Sequence, residues 1–271
     1  MSLAPTRKDE AWRWSNLKAL AAAWPDAQVR SRSLAIADTG RLDETLTGDA
    51  WINDDMTVSV AAGGRLGGVI RAGAAGLTTM LYRITLEAGA SAHLVILSHG
   101  GSLGRIALDV TLHDGADFQL GAILIGQGEQ TIELVTTVRH VGPGATSRQI
   151  VRAVAGGTAT TSYLGQVAVA RAGQKTDASQ SFKALLLNRG ATANAKPELE
   201  IFADDVKCAH GAAIGEIDKQ ALFYLNSRGV PPAQARALLT RAFLSDALAG
   251  LDEVTTVALD TEITALLGQA A

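Results

Sequence analysis

The sequence predicts a mainly β protein whose body is a β-solenoid, with a short N-terminal segment and a small helical C-terminal domain. From about Thr57 to Ile201 the chain consists of short runs rich in Val, Ile, Leu and Thr, which glycines separate at intervals of roughly 12 to 17 residues. Similar turn sequences recur at about twice that interval. After Gly215 the pattern changes to the spacing of amphipathic helices.

The composition of the 271 residues favours a core of small aliphatic side chains. Hydrophobic residues make up 47% of the chain and aromatic residues only 4%, so Ala, Val, Leu and Ile must fill most of the interior. The length allows either one large all-β domain or two ordinary domains.

The charge and the N-terminal sequence indicate no nucleic-acid or membrane partner. A net charge of -3 and a pI near 6.0 give no overall attraction to nucleic acid or to anionic lipid. The first residues mix acids and tryptophans where a signal peptide needs an apolar run, and no stretch approaches the roughly 18 apolar residues of a membrane helix. We therefore expect a soluble, cytoplasmic protein.

Residues 1–56 are predicted to form a short helical or irregular N-terminal segment. Three of the four tryptophans, Trp12, Trp14 and Trp24, lie on a stretch typical of a short helix that ends before Pro25. Because large aromatic side chains bury much apolar area, we expect these tryptophans to anchor the segment on the main domain.

Residues 57–215 are predicted to form the β body. Strands are expected in runs such as LYRITLEAG, RIALDVTLHDG and GQVAVARAG, which often alternate apolar and polar residues. Short strands between regular turns occur in sandwiches, barrels and solenoids. The similar turns EAGASAHL, HDGADFQL, GPGATSRQI and RAGQKTDAS favour a solenoid with two or more strands per coil, and a sandwich is the second choice.

Residues 216–271 are predicted to form a helical domain. Asp218 suits an N-cap, Gly229 a C-terminal cap and Pro232 the first turn of the next helix. The expected apolar face of that helix consists of Ala235, Leu238, Leu239, Ala242 and Phe243. Gly250 ends it. A third helix is expected from Asp252 to Leu267, with inward residues Val254, Val257, Leu266 and Leu267.

Cys208 and His210 form the candidate ligand pair. They are two residues apart at the end of the apparent strand IFADDVKCAHG, so their side chains should project from one face, which Asp204 would share. Thiolate and imidazole suit iron or zinc, but two ligands are about half of the usual set. Because Cys208 is the single cysteine of the chain, a partner or cofactor would have to complete the set.

Two other interpretations also fit Cys208 and His210. Free cysteine is among the most buried residue types, so Cys208 also fits a buried thiol beside a hydrogen-bonded histidine. A Cys–His hydrolase would need a base across the site and an oxyanion hole, and neither is recognisable in the sequence. Asp204 and Asp205 are more simply interpreted as ending a strand or pairing with Lys207.

The other candidate sites fail on spacing. Gly173-Gln174-Lys175-Thr176 resembles a phosphate loop, but Gln174 separates the glycine from the lysine, so the motif is not met. Any ATP hydrolysis is therefore expected in a partner. The remaining histidines lack metal-ligand spacing and are interpreted as structural; they are His93, His99, His113 and His140.

The segment KPELEIFADDVKCAHGAAIGEIDKQALFYLNSRGV resembles the C-terminal core of the SufB/SufD family of iron–sulfur cluster assembly proteins. It is closer to the SufD branch, because the SufB stretch usually reads His-Glu-Ala-Thr. The matching residues are Lys196, Pro197, Leu199, Glu200, Ile201, Asp204, Asp205, Val206, Cys208, His210, Gly211, Gly215, Phe223, Tyr224, Leu225, Ser227, Arg228 and Gly229. Less specific similarity involves Leu185-Leu186-Leu187, His140 with Pro143 and Ser147, and the motif from Glu10 to Leu17.

This resemblance implies a right-handed parallel β-helix that pairs with the β-helix of a SufB-like paralogue. It implies that the histidine of the Cys-x-His-Gly motif lies at that interface near the nascent cluster, a role that falls on His210, with Cys208 as the secondary candidate. No cofactor is expected to bind tightly to this chain alone; iron or an iron–sulfur cluster would bind transiently at the shared interface. The chain is accordingly expected to be a non-catalytic scaffold.

The resemblance further implies that the C-terminal helices dock a SufC-like ATPase. The chain departs from the family pattern in two places. Its Trp-containing motif begins at residue 10, so we expect the longer N-terminal helical region of the family to be absent, and Ala213 stands where threonine is common. The expected docking residues are Phe223, Tyr224, Arg228, Leu238, Leu239 and Phe243.

Two functions of other classes remain open at the level of the sequence. One is a β-solenoid enzyme acting on a polymer, with acids and His210 in a groove, although the strand region is poor in aromatic and charged side chains. The other is a homodimeric structural module without a metal role. A scaffold chain in isolation could also form a homodimer, so copurification with an ATPase and a paralogue separates the three.

Overall fold

The computed structural model describes residues 5–6, 8–9, 12–24 and 28–268, and its body is a parallel β-solenoid. The chain begins with the helix α1 Leu17–Ala23 and the strands β1 Arg30–Ile36, β2 Thr39–Arg41, β3 Glu44–Leu46 and β4 Ile52–Val60. The next strands are β5 Arg65–Ala72, β6 Leu77–Leu86, β7 Ser91–His99, β8 Leu103–Leu112, β9 Asp117–Gly126 and β10 Thr131–His140. The last strands are β11 Thr146–Ala155, β12 Thr160–Val169, β13 Asp177–Leu186, β14 Thr192–Ile201 and β15 Lys207–Gly215. The C-terminal helices are α2 Lys219–Ser227, α3 Pro232–Ser245, a 3-10 turn Asp246–Leu248 and α4 Glu253–Gly268.

The strands form two sheets in which every pairing is parallel. Sheet I has the order β1-β4-β6-β8-β10-β12-β14, and sheet II has the order β15-β13-β11-β9-β7-β5-β2, with β3 also pairing with β5. From β4 onward successive strands alternate between the sheets, so each coil contributes one strand to each. Registered partners lie one coil apart, as in Arg65 with Ser91 and Ser91 with Asp117. The predicted solenoid is therefore confirmed.

Alternate residues of each strand point between the two sheets and form the core. In β6, for example, Met80, Tyr82 and Ile84 are buried while the residues between them are partly or fully exposed. Most of the interior side chains are Val, Leu, Ile and Ala, as the composition predicts. Each fully buried Val, Leu or Ile contributes about 1.5–3 kcal/mol relative to an exposed one.

A column of turns with left-handed backbone stacks along one side of the solenoid, where the strands of sheet I lead into those of sheet II. In the first turns of this column the left-handed residue is a glycine, which adopts a positive φ without a steric penalty. Each donates its amide to the turn of the next coil, as Gly89 does to the Asp114 carbonyl oxygen at 2.8 Å. The glycines are Gly63, Gly89, Gly115 and Gly144, with φ of 71°, 65°, 62° and 70°.

Lys175 takes the glycine's place in the last turn of this column. Its φ is 63°, its amide donates to the Asp205 carbonyl oxygen at 2.6 Å, and its ammonium group pairs with the Asp205 carboxylate. The Thr176 hydroxyl donates to the Gly173 carbonyl oxygen at 2.8 Å. Gly173 to Thr176 therefore form a turn of the solenoid, and the interpretation that they are not a phosphate loop agrees with this geometry.

The solenoid begins earlier than the sequence predicts. For residues 1–56 the prediction is a helical or irregular segment, but β1 starts at Arg30 and pairs with β4, where Arg30 is registered with Asp54. The prediction is wrong there because β1 is polar, with only its last residue buried, and part of its pairing rests on ion pairs rather than on an apolar face. Glu10 and Pro25, which entered the prediction for this segment, lie outside the described residues.

The N-terminal segment is anchored on the outer face of sheet I, as the tryptophans predict. The Arg105 guanidinium lies 4.0 Å from the centroid of the Trp12 ring and forms a 2.8 Å ion pair with Glu133. The side chains of this ion pair are 6% and 1% exposed. The Trp24 and Trp51 rings lie 6.0 Å apart, which adds a second aromatic contact.

The C-terminal helices pack on the outer face of sheet II through one apolar cluster. Two ion pairs border the contact: Arg71 with Glu262 at 2.9 Å and Arg152 with Asp246 at 3.1 Å. The buried residues of the cluster are Val69, Val95, Leu97, Ile123, Ile125, Val154, Leu244, Ala247, Leu248, Leu259, Ile263 and Leu267. The helices are therefore fixed to the solenoid and are not a detached tail.

Three predicted helix ends are found, but α3 ends at Ser245 and not at Gly250, because the chain passes into the 3-10 turn Asp246–Leu248. The Asp218 carboxylate accepts the Gln220 amide at 2.8 Å, Gly229 has φ 87°, and Pro232 lies in the first turn of α3. None of the helices among the described residues is long and apolar enough to cross a membrane.

The inward faces of α3 and α4 differ from the prediction. In α3, Ala235 is buried as predicted, but Leu238 is 46% exposed and Ala242 is also exposed. In α4, Val254 and Val257 are 80% and 60% exposed, whereas Leu267 is buried as predicted. The faces are rotated because each helix packs against more than one neighbour. The residues buried instead are Thr240 and Leu244 in α3, and Leu259 and Ile263 in α4.

His140 is a fully buried histidine inside the solenoid. It ends β10 in sheet I, and its Nε2 lies 2.9 Å from the Oγ of Ser147, which is in sheet II. The hydrogen bond therefore crosses the core between the sheets. Burial disfavours the charged imidazole and lowers the pKa of His140 to about 4.

The depressed pKa of His140 predicts a loss of stability on acidification. In the unfolded chain the imidazole binds a proton near its ordinary pKa of about 6.5, so between roughly pH 6.5 and pH 4 the unfolded state holds more protons. Stability is therefore present above this window and falls within it, by about 3 kcal/mol for this group. Urea unfolding of the wild type and of His140→Gln between pH 7 and pH 4 measures the effect. An equally steep decline in His140→Gln would contradict the assignment.

Candidate functional site

The candidate pair lies on β15, at the open C-terminal end of the solenoid. Among the described strands, β15 pairs with β13 alone and β14 with β12 alone, so each leaves one edge unpaired. Every residue of β15 is exposed except Cys208, which is half-buried. The last coil therefore has a bare backbone edge on both sheets.

Cys208 and His210 project from the same face of β15, as predicted. Cys208 is registered with Ala178 and His210 with Gln180, and both of these β13 residues are buried in the interior. Side chains of registered residues on neighbouring parallel strands point the same way. The pair therefore faces the mouth of the solenoid interior.

The surroundings of the pair correct two details of the prediction. Cys208 and His210 lie at the start of a strand and not at its end, because the chain turns between Ile201 and Lys207. Asp204 and Asp205 lie in that turn, so Asp204 does not share the face of the pair. Asp205 pairs with Lys175 of the preceding coil and not with Lys207, because the turns stack along the solenoid.

Cys208 is a shielded thiol. It packs against a small apolar cluster at the end of the core, made of Val167, Val169, Ala178 and Ala203 with partly buried neighbours. Burial raises the pKa of the Cys208 thiol, and the negative charge of Asp177 raises it further, while a hydrogen bond from the Ala178 backbone opposes this. In the isolated chain the thiol is therefore held in its neutral form.

The ligand set of the pair is incomplete in this chain. Across the described ranges, no three His, Cys, Asp or Glu side chains come together in a way that could hold a metal ion. Cys208 and His210 supply one thiolate and one imidazole, which suits iron and iron–sulfur chemistry but leaves about two positions open.

Comparison with known proteins shows the family. A family model described as SUF system FeS cluster assembly, SufBD core domain, matches residues 47–243. This chain belongs to the SufBD family. The matched range includes the solenoid from before β4 to its last strand, together with α2 and most of α3.

The relatives of this SufBD chain include proteins named for iron–sulfur cluster assembly. It is 29% identical over 184 residues to the iron–sulfur cluster assembly protein SufD of Escherichia coli (68% of this chain, 42% of the relative), and 31% identical over 132 residues to SufD of Bacillus subtilis (49% and 30%). It is 38% identical over 164 residues to the chloroplastic protein ABCI7 of Arabidopsis thaliana (60% and 34%). The chain spans less than half the length of these relatives.

An apolar rim surrounds the open end of this SufBD chain. Ile201, Phe202 and Ile214 are 39%, 60% and 46% exposed, and all three lie on or beside the unpaired strands β14 and β15. Free strand edges and exposed apolar side chains are both features that protein–protein contacts cover.

The expected docking residues of the helices fall into two groups. Phe223 and Tyr224 on α2 are 74% and 56% exposed, and the Arg228 guanidinium lies 5.3 Å from the centroid of the Tyr224 ring. Leu238 is also exposed. The second group, Leu239 and Phe243, is half-buried; Phe243 packs against the cluster on sheet II, and the Arg152 guanidinium lies 6.0 Å from its ring centroid.

Polar residues inside the solenoid were missed at the sequence level. Gln149 and Gln180 are 0% and 3% exposed and lie in the same inward column as His210. Counting every second residue along each strand would have marked them as inward. Predicting that they share a column with His210 also requires the register between coils. The register cannot be predicted from the sequence because the turns differ in length.

The charge of Asp177 predicts the reactivity of Cys208. Iodoacetamide alkylates the thiolate, so the pH midpoint of the Cys208 alkylation rate should lie above that of an exposed cysteine. Asp177→Asn removes one of the two causes of the raised pKa and should lower this midpoint. Asp205→Asn removes a carboxylate from the preceding turn and serves as the matched control, with no change expected. A larger shift in the control than in Asp177→Asn would contradict this account.

Proposed function

We propose that this chain is a non-catalytic scaffold subunit of iron–sulfur cluster assembly, which pairs with a SufB-like paralogue and docks a SufC-like ATPase. The observation that carries the proposal is the coincidence, in a SufBD-family chain, of His210 and Cys208 with the unpaired edges of β14 and β15. Ligands and interface then lie at the same end of the solenoid.

The free edges favour pairing with another β-helix. Each exposes a row of backbone N–H and C=O groups that a strand from a second protein can satisfy, with the flanking side chains providing specificity. The apolar rim of Ile201, Phe202 and Ile214 would be covered by the same contact. A paralogue with its own open end would extend both sheets across the interface.

The cluster is the cargo of this interface and not a resident cofactor. Cys208 and His210 supply two ligands, and the partner would supply the rest. Pairing would also bury the site. His210, which is exposed in the single chain, would then bind in a protected environment, while Cys208 already lies partly within the apolar end of the core.

The outer face of α2 is the proposed ATPase surface. Phe223 and Tyr224 are large, exposed and adjacent, and Arg228 stacks on Tyr224, so the surface combines the residue types that contribute most to protein interfaces. Since α3 and α4 are fixed to sheet II, movement of the bound ATPase would act on the solenoid through a rigid contact.

His210 is the first residue to test. His210→Ala should abolish cluster formation by the reconstituted complex, because it removes the exposed ligand at the interface, while the fold and ATPase binding are retained. Visible spectroscopy after anaerobic reconstitution measures cluster yield, and copurification measures the partners. His113→Ala, a histidine in a turn away from β15, is the control. A normal cluster yield from His210→Ala would contradict the proposal. Failure of the wild-type chain to copurify with a paralogue and an ATPase would favour a polymer-acting enzyme or a homodimer.

Substitution of Phe223 and Tyr224 tests the docking surface more specifically than deletion of the helical domain does. Removing residues 218–271 should abolish ATPase binding, but it also uncovers the apolar face of sheet II. Phe223→Ala with Tyr224→Ala removes only exposed rings and should weaken ATPase binding at least tenfold, because truncating each interface anchor costs about 2 kcal/mol or more. Val254→Ala with Val257→Ala on α4 is the matched control. Calorimetric affinities that are equal for the two double variants would refute this assignment.

A further inference from the structure

Gln180 is a buried amide that lies next to His210, one coil into the solenoid. Its side chain is on the inward face of β13, between the buried residues Ala178 and Phe182. The residue is 3% exposed, and neither its Oε1 nor its Nε2 has a hydrogen-bond partner among the described residues. An amide held inside the core with both polar atoms unpaired is costly, by about 1–3 kcal/mol.

The neighbouring glutamine of the same column shows how an inward amide is otherwise satisfied. Gln149 is registered with Gln180 one coil further in, and its Oε1 accepts a hydrogen bond from the Tyr163 hydroxyl at 3.2 Å. Thr136 lies 3.1 Å from the same hydroxyl and extends this contact. The Gln149 Nε2 has no partner among the described residues, so Gln149 is satisfied at its acceptor oxygen alone, whereas Gln180 has neither atom paired. Gln180 is also the inward amide closest to the open end.

We propose that Gln180 is a positioning residue for His210, whose ring N–H it accepts when a partner closes the open end of the solenoid. The two residues are registered on adjacent strands about 4.8 Å apart and point the same way, so the amide oxygen is within reach of the imidazole. This inference rests on the proposed function. It goes beyond it by assigning a role to a residue that is not itself a ligand.

The chemistry follows from the two nitrogens of the imidazole. A neutral ring carries one N–H and one lone pair, and the acceptor of the N–H determines which nitrogen is free to bind metal. In the single chain His210 is exposed and water competes for that N–H. Closure of the interface removes the water, so Gln180 Oε1 becomes the acceptor, fixes the ring and directs the other nitrogen to the iron. Metal-binding histidines depend on such an outer partner.

The test compares the stability and the iron affinity of Gln180→Leu with those of the wild type, and we expect the stability to be kept while the affinity falls. Since leucine replaces an unpaired buried amide with an apolar group of similar size, the Tm of the isolated chain should stay equal or rise. In the assembled complex, the ferrous iron concentration that gives half-maximal cluster formation should increase about 10- to 100-fold, the usual effect of losing an outer partner of a ligand. A purely structural role would lower the Tm and the yield together.

Two further variants complete the design. Gln149→Leu removes the amide one coil further in and is the matched control; its half-saturating iron concentration should remain that of wild type. Gln180→Glu keeps an acceptor oxygen and should keep iron affinity near wild type. If Gln180→Leu does not fold, Gln180→Met repeats the test with a side chain of the same reach and no strong acceptor.

The outcomes separate this inference from the function on which it rests. A wild-type iron requirement in Gln180→Leu, with cluster formation lost in His210→Ala, overturns the role of Gln180 and leaves the scaffold function standing; internal water would then be what satisfies the amide. A normal cluster yield in His210→Ala overturns the scaffold function itself. A raised iron requirement in Gln180→Leu that Gln180→Glu restores supports both.

Discussion

The structure depends on one constraint: the inward side chains of each coil must rest on those of the coil before it. Parallel pairing in register repeats this contact along both sheets, so the interior is continuous and its composition can stay aliphatic. A stack of this kind has two ends, and at each end the last inward side chains have no coil to rest on. The two ends differ in the side chains that finish these columns.

At the N-terminal end, an ion pair lies over inward side chains of the first coils. Arg32 is the first inward residue of its column in sheet I, registered with Met56 and then Tyr82. It pairs with Glu44 on the opposite side, and the Tyr82 hydroxyl donates to the same carboxylate at 2.5 Å. A buried or half-buried ion pair contributes little net stability, but each charge compensates the other beside an apolar interior. At the C-terminal end, an inward column of sheet II finishes in Gln180 and then in His210, which is exposed.

The sequence predicts those features that depend on local contacts. Alternation along strands such as β6, the turn glycines, and the caps at Asp218 and Gly229 each involve residues a few positions apart, and all are found in the structure. Features that depend on register are different. The polar start of β1 is found as a strand because β1 pairs in register with β4, where Arg30 lies opposite Asp54. α3 turns Leu238 outward because its other face packs against sheet II and α4. The position of Gln180 beside His210 likewise depends on the register of β13 with β15, which turns of unequal length make hard to predict.

The incompleteness of the site is consistent with a scaffold that must release what it builds. A full set of ligands within one chain would bind a cluster whether or not the partner were present, whereas Cys208 and His210 provide only half of one. In the proposed function, cluster binding would depend on the interface, because ligands from two chains act together only when both chains are joined. The raised pKa of Cys208 has the same consequence in the free subunit, since a neutral thiol is a poor ligand until an approaching cation favours the thiolate. In the proposed scaffold, assembly of the two ends would therefore create the site, and their separation would remove it.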